Sequence, residues 1–255
     1  MIVAAAQFTS APGGIATNVR TMSALTRACG ARLLVFPELA LTGYELDLIA
    51  CDPRLWVTDD DPRLDPVREA CRASGTAAVV NAPAVVTEAH GGGVRQGGRP
   101  AIASLVIGPD GETLTRYDKQ HLYEAEGEVF AAGVADGRFT LDGRTFALAI
   151  CFDNHFPELG ERAAADGCTV YLASSLYGTG GGVEERAATY PAIARRNGLY
   201  VVLANHVGAA GPWTGCGRSA VWGPDGGLLA EADATEPGVV RAEIGRLHFP
   251  AGSHG

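Results

Sequence analysis

The tetrapeptide Gly-Pro-Asp-Gly occurs twice, at Gly108–Gly111 and at Gly223–Gly226, each time between two β-prone runs. Pro presets φ for the second turn position and the final Gly supplies a positive φ, so each copy predicts a hairpin. The hairpins pair Ala101–Ile107 with Glu112–Arg116, and Arg218–Trp222 with Leu228–Glu231. Two earlier segments also recur in the same order. Val79-Val-Asn-Ala82 resembles Val201-Val-Leu-Ala-Asn205, and Arg32-Leu-Leu-Val-Phe-Pro-Glu38 resembles Phe146-Ala-Leu-Ala-Ile-Cys151. Three ordered matches predict two pseudo-equivalent halves within one domain spanning residues 1–255.

Helical and extended patterns alternate between these landmarks. Apolar spacing predicts helices over Asn18–Cys29, Leu64–Ser74, Pro157–Asp166 and Glu184–Arg196, with Gly30, Gly75, Gly167 and Gly198 at or near their ends. Short apolar runs predict strands at Ile2–Gln7, Arg32–Phe36, Ala77–Asn81, Phe146–Ile150, Val170–Ala173 and Tyr200–Ala204. Strands alternating with helices give an α/β class. The stretches 52–66 and 87–100 read as loops, the second as a Gly-rich hairpin tip.

Composition narrows the function. The 255 residues carry a net charge of −9 and contain no Lys/Arg run, which argues against nucleic acid and anionic membranes as partners. The first residues, Met1–Phe8, lack a basic segment and read as a strand rather than a signal peptide. No apolar stretch approaches the ~20 residues of a membrane span. Six cysteines (29, 51, 71, 151, 168, 216) form no CxxC pair, so neither a zinc site nor a disulfide framework is expected, and the default location is cytoplasmic.

Cys151 stands at the C-terminal end of an apolar strand and before a helix opened by Pro157, where α/β folds build sites. A nearby helix N-terminus favours its thiolate. Glu38 closes another apolar strand, at the place matching Cys151 in the repeat. A desolvated carboxylate there has a raised pKa and suits a general base. Lys119, just after the first hairpin, can stabilise a thiolate and later an oxyanion. Glu128 is a second carboxylate near enough in sequence to fix the lysine.

Three blocks carry a resemblance. Phe36-Pro-Glu38 with Thr42-Gly-Tyr44, then Tyr117-Asp-Lys-Gln-His-Leu122, then Ile150-Cys-Phe-Asp-Asn-His-Phe-Pro-Glu158 closely resemble the signatures of the nitrilase superfamily, the carbon–nitrogen hydrolases. The likeness runs from Ala6-Gln7 to the second hairpin. It implies a four-layer α-β-β-α sandwich with internal pseudo-two-fold symmetry, a Glu38–Lys119–Cys151 triad, Glu128 as the second glutamate, and an oxyanion held by Lys119 and the Phe152 N–H. It also implies a homodimer or higher homo-oligomer and a small-molecule substrate, with no metal or organic cofactor required. Asp153 after the nucleophile resembles amidase-like and carbamoylase-like branches more than nitrilases. Family members often carry Arg where this chain has His155 and Pro where it has Ala132.

The expected reaction is hydrolysis of an amide or N-carbamoyl bond through a Cys151 thioester. Nitrile hydrolysis on the same triad, a non-catalytic scaffold, and supply of ammonia to a separate synthetase are the alternatives. So is a Cys–His hydrolase pairing Cys151 with His206 or His121. Tyr44, Tyr123, His155, Tyr177, Phe152 and Trp213 are candidates for lining the pocket, as are loops such as 42–60, 121–135 and 175–190.

Overall fold

A computed structural model describes residues 1–86 and 98–245. Its first half contains β1 (Ile2–Gln7), α1 (Ile15–Ala28), β2 (Leu33–Val35), α2 (Leu46–Cys51), α3 (Asp65–Ser74), β3 (Ala77–Ala84), β4 (Ala101–Ile107), β5 (Thr113–Asp118) and α4 (Glu126–Val129). Next come β6 (Gly137–Leu141), β7 (Arg144–Ile150), α5 (Pro157–Ala165), β8 (Val170–Ser175), α6 (Gly181–Asn197) and β9 (Tyr200–Asn205). The chain then forms β10 (Val207–Ala210), β11 (Trp213–Cys216), β12 (Ala220–Trp222), β13 (Leu228–Glu231) and β14 (Gly238–Glu243). Most of the predicted loop at 87–100 lies outside the described residues.

Two six-stranded sheets run in the orders β14-β1-β2-β3-β4-β5 and β13-β12-β9-β8-β7-β6. In each, three central strands are parallel and the outer ones antiparallel, as in β1-β2-β3 and β7-β8-β9. Parallel strands covered on both faces need continuous apolar sequence, which β2, β7 and β8 supply. The sheets pack face to face, with β1 and β2 against β8 and β9. Helices α1 and α3 cover the first sheet, and α5 and α6 the second. The four-layer sandwich is therefore the observed fold.

Both Gly-Pro-Asp-Gly hairpins close alike. Gly111 N–H donates to Gly108 C=O at 2.9 Å and Gly226 N–H to Gly223 C=O at 2.8 Å, with φ of 81° and 80° at the two closing glycines. A Cβ at Gly111 would lie 3.0 Å from the Arg68 carbonyl of α3, and one at Gly226 would lie 2.7 Å from the Pro191 carbonyl of α6. Each turn thus leans on the corresponding helix of its own half, which only glycine permits.

The order of strands corrects one repeat match. By pairing and direction, β1, β2, β3, β4 and β5 correspond to β7, β8, β9, β12 and β13, with β14 and β6 on equivalent edges. The β3/β9 and β4/β12 matches hold. The strand ahead of Glu38 corresponds to β8, however, and β7 ahead of Cys151 corresponds to β1. Both runs are buried parallel strands with the same apolar composition, so sequence similarity alone pairs them one strand out of step.

Candidate active site

Glu38 leaves β2 in a tight bend. Phe36 N–H donates to Val79 C=O at 3.0 Å, and Leu39, at φ 49°, donates its N–H to Asn81 Oδ1 at 2.6 Å. The bend turns the Glu38 side chain into the interior, where it has no solvent exposure. Lys119 leaves β5 with its N–H on Ile102 C=O at 2.8 Å and is equally buried. Its Nζ donates to Glu38 Oε1 at 2.7 Å and to Glu126 Oε1 and Oε2 at 2.9 and 2.7 Å.

The second glutamate is therefore Glu126 rather than Glu128. Glu126 is buried at the start of α4, whereas Glu128 is exposed. Glu126 also accepts from Tyr44 OH and from Tyr123 N–H, both at 2.7 Å. A four-residue helix gives no periodicity with which to choose between residues two apart, and that is why the sequence pointed to the wrong one.

Cys151 opens a 3-10 turn, Cys151–His155, with its own φ at 45°. The turn is pinned by Asp153, a carboxylate with no exposure. Asp153 accepts from Ile150 N–H at 2.9 Å, Tyr117 OH at 2.7 Å and His121 N–H at 2.9 Å, and contacts His121 Nδ1 at 3.0 Å. Asn154 Nδ2 donates to Cys151 C=O at 2.7 Å. The Cys151 thiol lies 3.7 Å from Leu176 C=O.

Burial pushes the Glu38 carboxyl up to about 7; the Lys119 cation opposes that rise and the Glu126 charge adds to it. Burial and the Glu38 charge together hold the Cys151 thiol well above its usual range, and Lys119 only partly compensates. The expected resting thiolate is thus replaced by a thiol beside a carboxylate that ionises near neutrality. Burial lowers Lys119, but the negative charges around it prevail and raise it, so it stays charged. Glu38 Oε2 has no hydrogen-bond partner among the described residues, and the nearby Cys151 thiol favours the ionised Glu38 carboxyl.

Cys151 and Glu38 lie at the floor of a cavity of about 270 Å³. All six predicted lining residues, Tyr44, Tyr123, Phe152, His155, Tyr177 and Trp213, border it. The Gly-rich segment 178–182 forms another wall. His155 Nε2 contacts Glu185 of α6 at the rim. Trp213 reaches the rim on the unpredicted β10–β11 hairpin, which is tied to the wall by Thr179 N–H to Thr214 C=O at 2.8 Å.

The Cys–His pairing has no geometry here. His206 is buried with Nε2 on the Glu38 carbonyl, and His121 is engaged by Asp153 and stacked on Phe156 at 3.6 Å. Among the described residues, no group of three or more His, Cys, Asp or Glu is arranged to hold a metal ion. Nor is any helix among them long and apolar enough to cross a membrane.

The carbon-nitrogen hydrolase family model matches residues 2–247. The chain belongs to the carbon–nitrogen hydrolase family. A relative from Pseudomonas protegens described as a hydrolase in the pqqF 5′ region is 30% identical over 243 residues, covering 92% of this chain and 80% of that one. Formamidase from Bacillus thuringiensis is 28% identical over 226 residues. That match covers 84% of this chain but only 62% of the formamidase. Among solved structures, an amidase of the nitrilase superfamily from Nesterenkonia AN1 aligns with a TM-score of 0.83 and 27% identity, covering 96% of this chain and 92% of that one. One structure of that amidase shows acrylamide added to its active-site cysteine. This carbon–nitrogen hydrolase is accordingly an enzyme with the nitrilase-superfamily fold.

Proposed function

We propose that this carbon–nitrogen hydrolase cleaves small-molecule amides through a Cys151 thioester, with Glu38, Lys119 and Cys151 as the catalytic triad. The observation that carries the reading is the meeting of three side chains from three strand ends, Glu38 and Cys151 at one cavity floor and Lys119 buried behind it, with a carboxyl poised near 7 beside a thiol. The amidase and formamidase relatives support the same bond type.

Glu38 takes the Cys151 proton as sulfur attacks the amide carbon, and the carbonyl oxygen becomes an oxyanion. Lys119 and the backbone N–H of Phe152 stabilise that charge. Protonated Glu38 then returns its proton to the nitrogen, the C–N bond breaks, and ammonia leaves the acyl group on sulfur. Water, deprotonated by Glu38, adds to the thioester; the C–S bond breaks, and acid and thiol are regenerated. Glu126 holds Lys119 in line throughout.

The test is a panel of primary amides, N-carbamoyl amines and nitriles, read as ammonia release, with mass spectrometry of the Cys151 peptide during turnover. Amide-dependent ammonia and an acyl mass on Cys151 are expected. Release of ammonia with no adduct trapped on Cys151, and full activity in Cys151→Ala, would overturn the mechanism. No turnover of any amide would overturn the substrate class.

A further inference from the structure

We infer that the cavity selects amides whose acyl chain ends in a cation, an ammonium or guanidinium, and rejects those ending in a carboxylate, with Glu185 as the selecting group. The inference deepens the amide-hydrolase reading and rests on it.

The charge inventory of the cavity is one-sided. Apart from Cys151 and the phenols, its ionisable lining consists of Glu38, Glu185 and His155, with no Lys or Arg among the described residues that border it. Lys119 lies behind the floor rather than in the lining, and the Glu38 and Glu126 carboxylates beside it already balance its charge, so a carboxylate at the far end of an acyl chain finds no free counter-charge there. His155 spends Nε2 on Glu185. A carboxylate entering this space would lose water and gain no counter-charge, which is costly.

A cation meets the opposite situation. The Glu185 side chain stands at the rim on the first turns of α6 and keeps 45% of its surface open, so His155 covers only part of it. Tyr123, Phe152 and Trp213 border the same space, and their faces suit an ammonium or guanidinium. Trp213 is 47% exposed although its hairpin is anchored to the Tyr177–Thr179 wall, a surface left open beside the carboxylate. At about 270 Å³ the cavity is below the usual size of drug-like sites, so the cationic chain is short.

The experiment compares three amides with five-carbon backbones, 5-aminopentanamide, pentanamide and 5-amino-5-oxopentanoate, with acetamide as the size control. For the wild-type enzyme, kcat/KM is expected to fall in that order, by about tenfold or more per step. In Glu185→Gln the cationic-to-neutral ratio drops about tenfold, and in Glu185→Lys the anionic amide overtakes the cationic one. Butylammonium should inhibit the wild type competitively and butyrate should not, which tests the same subsite if either variant fails to fold. Equal rates on the three amides, or a ratio unmoved in Glu185→Gln, would overturn the inference while acetamide turnover leaves amide hydrolysis standing. Failure of all four amides would instead remove the parent reading.

Discussion

Lys119 faces two carboxylates, so the buried group carries a net negative charge whenever both are ionised, and the proton count of Glu38 sets its chemistry. Glu38 must be a carboxylate to accept the Cys151 proton. Because burial lifts it to about 7, kcat/KM should climb about tenfold per pH unit below 7 and level off above it. A rate flat from pH 5 to 8 would remove Glu38 as base. The Glu126 contact makes a second prediction. Glu126→Gln leaves Lys119 with one charged partner and should cut kcat about a hundredfold, the scale of losing one aligned electrostatic donor. Glu128→Gln, at an exposed position, should change kcat by less than about twofold. Steady-state kinetics on the two variants separate these assignments. Comparable losses in both would return the role to Glu128.

Among the elements, those with strong local chemistry were legible in the sequence. Both hairpins, the buried parallel strands and the helices closed by Gly75 and Gly198 were expected, with ends shifted by a few residues at most. The strands that were missed lack such chemistry. β10 and β11 contain Gly208 and Gly215 at positions a side chain would overfill, β6 is short, and β14 mixes charged and apolar residues on a half-covered edge. Glu38 and Cys151 border one cavity although the repeat does not equate them; they meet because the two sheets stack. The Asp153 clamp was invisible for a related reason, since its partners Tyr117 and His121 come from the β5 exit. By joining that exit to the strained turn of Cys151, Asp153 sets the position of Lys119 relative to the thiol. Asp153→Asn puts an NH2 against groups that are themselves donors and should cost about 2 kcal/mol of stability, while Tyr117→Phe should cost about 1. In both, kcat should fall with KM changed by less than about twofold. Urea unfolding with steady-state kinetics checks this, and full kcat in Asp153→Asn would show that the turn needs no clamp.

Across the middle of the molecule, one of the hydrogen bonds that join the two sheets lies at the site itself. His206, at the end of β9 in the second sheet, donates Nε2–H to the Glu38 carbonyl beyond β2 in the first. Burial lowers the His206 pKa from 6.5 to about 4, so the unfolded chain binds its proton first as pH falls. His206 therefore contributes stability above 6.5 that is lost as pH drops toward 4. Glu38 has the opposite sign: its carboxyl sits at about 7 in the fold against 4.5 unfolded, so its contribution is full below 4.5 and is lost as pH rises through 7. Each shift corresponds to about 3 kcal/mol, and over pH 4.5–6.5 the two slopes oppose each other almost equally. The wild-type protein should accordingly show nearly constant unfolding free energy across that window. Glu38→Gln exposes the histidine slope, so this variant should lose stability as pH falls from 6.5 to 4.5. His206→Gln exposes the carboxyl slope, so that variant should gain stability over the same range. Urea unfolding at several pH values reads all three proteins directly. If both variants kept the flat wild-type profile, these two buried groups would not govern the balance between the sheets.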